Sequence, residues 1–333
     1  MIHHHACRAL VFLFFVVCTA YVAHPPGVMA ESVCVYMTDS GQLEAVKNLQ
    51  TLPRALRERV VCRDKAPGEI AAPEELRVGR DVRTADFATE LGPMRVKWSR
   101  SVEACFGRSP SRAVSEAAQA VNRALKNGRF ASEAKFARRE WSLGFIDRAA
   151  AFSQFPVALT VGGHPGFMMP PNRIYIITDF VSQNCENTAN ADVMLTQVLL
   201  HEMGHVIEYL LLGESSTLHD RQQAEGFASW FEQYSADFTS VIPHGKVKSE
   251  YAALTKGWSP GRSVRDFSGS SHDYAVAALQ FQAIVDRKGI AGLMKVYQYQ
   301  RDSQVSFDSA VEQGIGWNRA MLERQMAELR QRG

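Results

Sequence analysis

The residues best equipped for chemistry in this 333-residue chain stand together in HEMGH, residues 201–205. His201 and His205 are four positions apart, so an α-helix projects both imidazoles from one face, where they can share a metal ion. Glu202 stands beside them, placed to take a proton from water activated by that metal. The spacing points to zinc-assisted hydrolysis. A catalytic zinc takes three protein ligands and keeps a fourth position for water or substrate, so the two histidines need one further partner.

The motif lies in a stretch, 191–212, that is apolar on nearly all sides, with Val193, Leu195, Leu199, Leu200, Val206, Ile207 and Leu211 among its members. This predicts a buried helix that starts near Ala191 or Asp192 and is stopped by Gly213. Gln197, His201, Glu202, His205 and Glu208 interrupt it, which excludes a membrane span. Two histidines and two glutamates in a buried helix are costly unless paired or metal-bound. A second amphipathic helix is expected at 221–238, and the remainder reads as helices near 246–256, 272–288, 290–300, 305–313 and 317–331.

Ahead of the motif the pattern predicts a strand at 94–99, a helix opened by Ser109 and Pro110 and ended by Gly128, and a less regular helical stretch at 134–152. Strands are expected at 155–162 and 172–180. Between these two, GHPGFMMPP, residues 163–171, reads as a loop because of its glycines and prolines. The strand leading from that loop towards the metal helix is expected at the exposed edge of the sheet, where an extended peptide can add as another strand. An interior strand beside an uninvolved loop is the alternative.

Residues 1–30 read as a secretory signal, with Arg8 before an apolar core and Val28, Met29 and Ala30 before the cleavage point. The apolar run of about 15 residues is short for an uncleaved anchor, which needs ~20. The mature protein is therefore expected to be exported, periplasmic or secreted, with no stable membrane span. Four cysteines remain after cleavage, and two disulfides are expected, Cys34 with Cys62 and Cys105 with Cys185 being the favoured pairing of three. A small N-terminal unit, 31–92, carries strands at 32–37 and 59–62 with an amphipathic helix at 41–49 between them. Its boundary falls in the Pro- and Gly-rich stretch 65–79 or near Gly92 and Pro93, and the main domain is taken as 93–333. The formal charge of +2 and the lack of a basic run interleaved with aromatics argue against a nucleic-acid partner.

Spacing tests the third ligand. In the metzincin pattern a third histidine follows the second by six residues with a glycine between, but here those positions hold Leu211 and Glu208. A glutamate on the next helix is the other arrangement, and Glu225 follows His205 by 20 residues. With HEMGH at 201–205 and EGFASWF at 225–231, the chain resembles the gluzincins, in particular the compact, single-domain, peptidase MA-like members. GFMMPPNRIYI, DYAVAALQFQAIVDRKGIAGLMKVY and VSFDSAVEQGIGWNRAMLERQMAEL extend the likeness loosely over about residues 94–333.

The resemblance implies an α+β, zincin-like metallopeptidase domain with a small mixed sheet, a HExxH helix and a helical C-terminal half. It implies that His201, His205 and Glu225 bind Zn2+ and that Glu202 is the general base in hydrolysis of a peptide or protein substrate. Tyr274 is the expected stabiliser of charge on the substrate carbonyl, with His272 as runner-up. One departure is Ser229, at a position where many gluzincins carry an acidic residue that orients a zinc histidine. A non-catalytic module binding peptide or cell wall, and zinc-dependent hydrolysis of a different amide, are the competing readings. His164, His219 and His244 are expected on the surface, and Glu208 and Glu232 paired with basic groups or facing solvent.

Overall fold

The computed structural model describes residues 32–37, 43–46, 60–64, 82–127, 130, 139–147, 165–169, 172–181, 190–213, 220–261, 267 and 269–332. Among these residues the protein is mixed α and β, with a small mixed sheet and predominantly helical content. The expected signal, residues 1–30, lies outside the described residues, as do His164, His219, Cys185 and the strand expected at 155–162.

At the N-terminal end three antiparallel strands, β1 (Ser32–Met37), β2 (Leu43–Val46) and β3 (Val60–Asp64), lie in the order β2-β1-β3. The helix expected at 41–49 is thus corrected to strand. So short a segment does not hold a helix by itself, and pairing with β1 satisfies its backbone instead. In this register Cys34 and Cys62 are direct cross-strand partners.

The main sheet has five strands: β4 (Val82–Thr89), β5 (Gly92–Ser99), β6 (Trp141–Ile146), β7 (Gly166–Met169) and β8 (Arg173–Ile177), in the order β4-β5-β6-β8-β7. β5, β6 and β8 run parallel, and antiparallel β4 and β7 occupy the two ends of the order. β4 lies ahead of position 92 yet pairs with β5 along its whole length, so the sheet begins at Val82. Two local expectations are overturned. WSLGFI, inside the expected helix 134–152, is β6, almost wholly buried between two parallel neighbours. A short apolar run carries no period that separates a buried strand from a buried helix, and its neighbours decide. The expected loop 163–171 contains β7, and among the described residues it is β7, not β8, that stands at the edge of the sheet.

The helices are α1 (Arg100–Phe106), α2 (Ser109–Asn127), α3 (Thr178–Val181), α4 (Ala191–Leu212), α5 (Arg221–Ala236), α6 (Lys246–Leu254), α7 (Ser271–Ser303), α8 (Phe307–Ile315) and α9 (Arg319–Arg332). α4 has the predicted limits, with Gly213 as its C-cap. Asp220 caps α5 by accepting from the Gln223 backbone N–H, and Ser270 with Asp273 forms a capping box on α7. α7 unites the two expected helices 272–288 and 290–300 across a break at Gly289, whose φ of 68° suits glycine.

α4 packs against α2 on one side and α5 on another, and α5 packs in turn against α7. Leu195, Leu199, Leu200, Val206 and Ile207 of α4, Phe227, Trp230 and Phe231 of α5, and Phe281 of α7 belong to one buried core. Phe227 meets Phe281 edge to face at 5.6 Å, an aromatic contact that adds roughly 0.5–1.5 kcal/mol beyond area burial. Two glycines set how closely these helices approach. A Cβ on Gly204, inside HEMGH, would lie 2.6 Å from Ala228 Cα, and one on Gly226, next to Glu225, would lie 2.9 Å from the Ala277 carbonyl oxygen. Among the described residues no helix is long and apolar enough to cross a membrane.

Candidate metal centre

α4 presents His201 and His205 one turn apart, with ring centroids 4.9 Å from each other. The close crossing at Gly204 and Ala228 brings the first turns of α5 against this face, so that Glu225 meets both rings. Its Oε2 is 3.2 Å from His201 Nε2 and 3.4 Å from His205 Nε2. Potential ligand atoms of His201, His205 and Glu225 all lie within 4.8 Å of one another, the single such cluster found among the described residues.

Charge deepens the case for a cation. Glu202, Glu208 and Glu232 are buried at 3%, 2% and 4% exposure, and Glu225 is largely covered. Burial alone works against ionising Glu225, but His205 and His201 outweigh it and hold its carboxyl far below the usual range. Burial likewise opposes charging His201 and His205, and the neighbouring carboxylates overcome this, raising both, His201 strongly. Glu202 moves the other way. Burial pushes it up to about 7, although the two histidines pull it down, and its Oε2 is buried without a hydrogen-bond partner.

The donor set suits zinc. His201 lies between two carboxylates, with Nδ1 3.2 Å from Glu232 Oε2 and Nε2 3.2 Å from Glu225 Oε2. With its pKa raised against burial by the two carboxylates, His201 without an ion favours the charged ring, which donates from Nδ1 to Glu232 and from Nε2 to Glu225. A cation shared by Nε2, Glu225 and His205 would take the place of the Nε2 proton and supply the same positive charge against Glu225. Zinc–ligand bonds of about 2.0–2.1 Å in a tetrahedron place ligand atoms roughly 3.3–3.4 Å apart; the two histidine–Glu225 pairs stand at 3.2 and 3.4 Å, and all three ligand atoms lie within 4.8 Å of one another.

Tyr274, near the start of α7, stands with its ring 6.1 Å from that of His201 and 5.3 Å from Phe267. Burial, then the charge of Glu225, raises its pKa, and hydrogen bonding to Arg221 offsets part of this. His272 is half-buried and directs Nδ1 to the Leu254 carbonyl at 2.7 Å. His244 is exposed as expected. The edge strand β7 comes directly over the centre: a Cβ on Gly166 would be 2.7 Å from Glu202 Oε1.

Sequence reasoning missed the environment of His201. Glu232, expected to pair with a basic group or face solvent, is buried, and its carboxylate receives Gln197 Nε2 at 2.8 Å and Tyr251 OH at 2.9 Å besides facing His201. Glu208 is also buried, accepting from Tyr297 OH at 3.2 Å. The spacing of seven residues from Glu225 to Glu232 places both on one face of α5 two turns apart, a signal that was present in the sequence. Ser229, between them, is fully buried. Compared with protein-family models, curated proteins and solved structures, the chain matches none of them.

Proposed function

We propose that the protein is a zincin-like, zinc-dependent peptidase that hydrolyses peptide bonds, exported after removal of residues 1–30. The observation that carries this reading is the convergence of His201, His205 and Glu225 beside a buried Glu202 whose Oε2 has no partner. His201 and His205 would hold the ion through Nε2 and Glu225 through a carboxylate oxygen. Zinc so bound supplies acidification of a water molecule and polarisation of a carbonyl.

The remaining work falls to this chain's own side chains. With a proton affinity near neutrality, Glu202 takes a proton from the attacking water at Oε2 and returns it to the leaving amine. The Tyr274 phenol, kept protonated by its raised pKa, donates a hydrogen bond to the carbonyl oxygen as negative charge builds there. β7 is the last strand in the order of the described sheet, and on this reading an extended substrate lies along it with its backbone passing Gly166 and Glu202.

Metal analysis of the purified protein, together with digestion of a peptide library by wild type and Glu202→Gln, tests this. Stoichiometric zinc with cleavage that falls by about 100-fold or more in Glu202→Gln is the expected result. Zinc without Glu202-dependent cleavage would instead favour a peptide- or cell-wall-binding module.

A further inference from the structure

We propose that Glu232 is the positioning carboxylate of the metal centre, held by Gln197 and Tyr251 so that His201 presents Nε2, and not Nδ1, to the ion. This rests on the zinc reading above and adds three residues to it. The carboxylate has a defined set of donors. Gln197 Nε2 donates to Oε1 at 2.8 Å, and Tyr251 OH donates to Oε2 at 2.9 Å, leaving Oε2 also facing His201 Nδ1 at 3.2 Å. Gln197 and Tyr251 come from α4 and α6, so the oxygens of Glu232 are fixed from two elements besides its own helix.

The consequence for His201 is chemical as well as geometric. With an ion bound at Nε2, Nδ1 keeps the remaining ring proton and donates it to Glu232 Oε2, while Nε2 faces Glu225. A ring hydrogen-bonded in this way is also the more basic ligand. His201 and Gln197 are one turn apart on α4, so a single carboxylate can bind both without distorting the helix. The departure at Ser229 is thereby accounted for. The position one turn after Glu225 is fully buried and uncharged, and the acidic partner of His201 stands almost one turn further along the same face.

The experiment measures zinc affinity of the full chain by competition with a chromophoric chelator, with ring-nitrogen NMR of the zinc-loaded protein. Glu232→Gln retains an oxygen acceptor and the side-chain shape, and its zinc affinity is expected to fall by roughly 10–100-fold. Tyr251→Phe, which removes one donor and little volume, is expected to show a smaller fall in the same direction. In wild type the His201 signals should report a protonated Nδ1 and a metal-bound Nε2. Thermal unfolding of both variants after chelator treatment separates lost affinity from lost fold, and Tyr251→Phe decides if Glu232→Gln does not fold. Wild-type affinity in both folded variants, or Nδ1 coordination in wild type, would overturn the role of Glu232 while leaving the zinc reading intact. A wild type that binds no zinc would overturn both.

Discussion

The α4 and α5 walls of the site treat the same functional group in opposite ways. Glu202 on α4 is pushed up to about 7, chiefly by burial, whereas Glu225 on α5 is held far below the usual range because both imidazoles outweigh its burial. Each is a glutamate in the same cluster of charges. The difference lies in reach: Glu225 Oε2 is within 3.4 Å of both Nε2 atoms, while Glu202 Oε2 has no hydrogen-bond partner and its other oxygen lies beneath Gly166. A carboxylate that stays ionised suits a cation, and one poised near neutrality suits proton transfer. Position on the two helices, not residue type, sets the two carboxyls apart.

The contrast is most open to attack by removing one wall at a time. Glu225→Ala should lose zinc binding by more than about 100-fold, a larger effect than that of a partner bonded to a ligand, whereas Glu202→Gln should bind zinc as wild type does and lose cleavage. Metal content after gel filtration, read beside peptide turnover, checks both. Full zinc occupancy in Glu225→Ala would end the gluzincin reading.

Glu208 extends the α4 side of the comparison. Burial pushes its carboxyl up to about 8, with His205 and the Tyr297 hydroxyl pulling it down. A carboxyl that binds its proton more tightly folded than unfolded makes stability fall as pH rises from about 4.5 to about 8. In the metal-free protein the Glu208 share of this fall should amount to roughly 2–4 kcal/mol, and Glu208→Gln should remove that share in denaturant titrations at pH 5 and pH 8, leaving the falls from the raised Glu202, His201 and His205. No flattening in that variant would place the pH dependence elsewhere.

Gly204→Ala tests whether the walls depend on their separation. The added methyl would lie 2.6 Å from Ala228 Cα, so α4 and α5 must part, at a cost of about 1–3 kcal/mol in unfolding free energy. Tyr274→Phe is the mildest change. It should keep zinc affinity and lower kcat about 10-fold, and an unchanged kcat would make the tyrosine a packing residue.

The parts of the site that follow one helix were legible in advance. The limits of α4, the shared face of His201 and His205, and the cap at Gly213 all follow from local spacing and composition. The meeting of Glu225 with both rings was expected through a family resemblance, and its distances now stand beside that expectation. Less local features were misread. The buried β6 had no period to distinguish it from a helix, and β7 was hidden by the glycines and prolines around it. The pattern leaves Glu232 to pair with a basic group or face solvent, because its three partners come from α4 and α6, none of them close in sequence.

By itself the sequence determined which groups share a helical face, because a 3.6-residue repeat needs no knowledge of the rest of the chain. Only the tertiary structure decided that α5 crosses α4 at Gly204 and that β7 runs over Glu202. It likewise decided that Gln197 and Tyr251 converge on Glu232. Those outcomes depend on burial and on contacts between distant segments, and the same glutamate can be ligand, base or support according to which of them it meets.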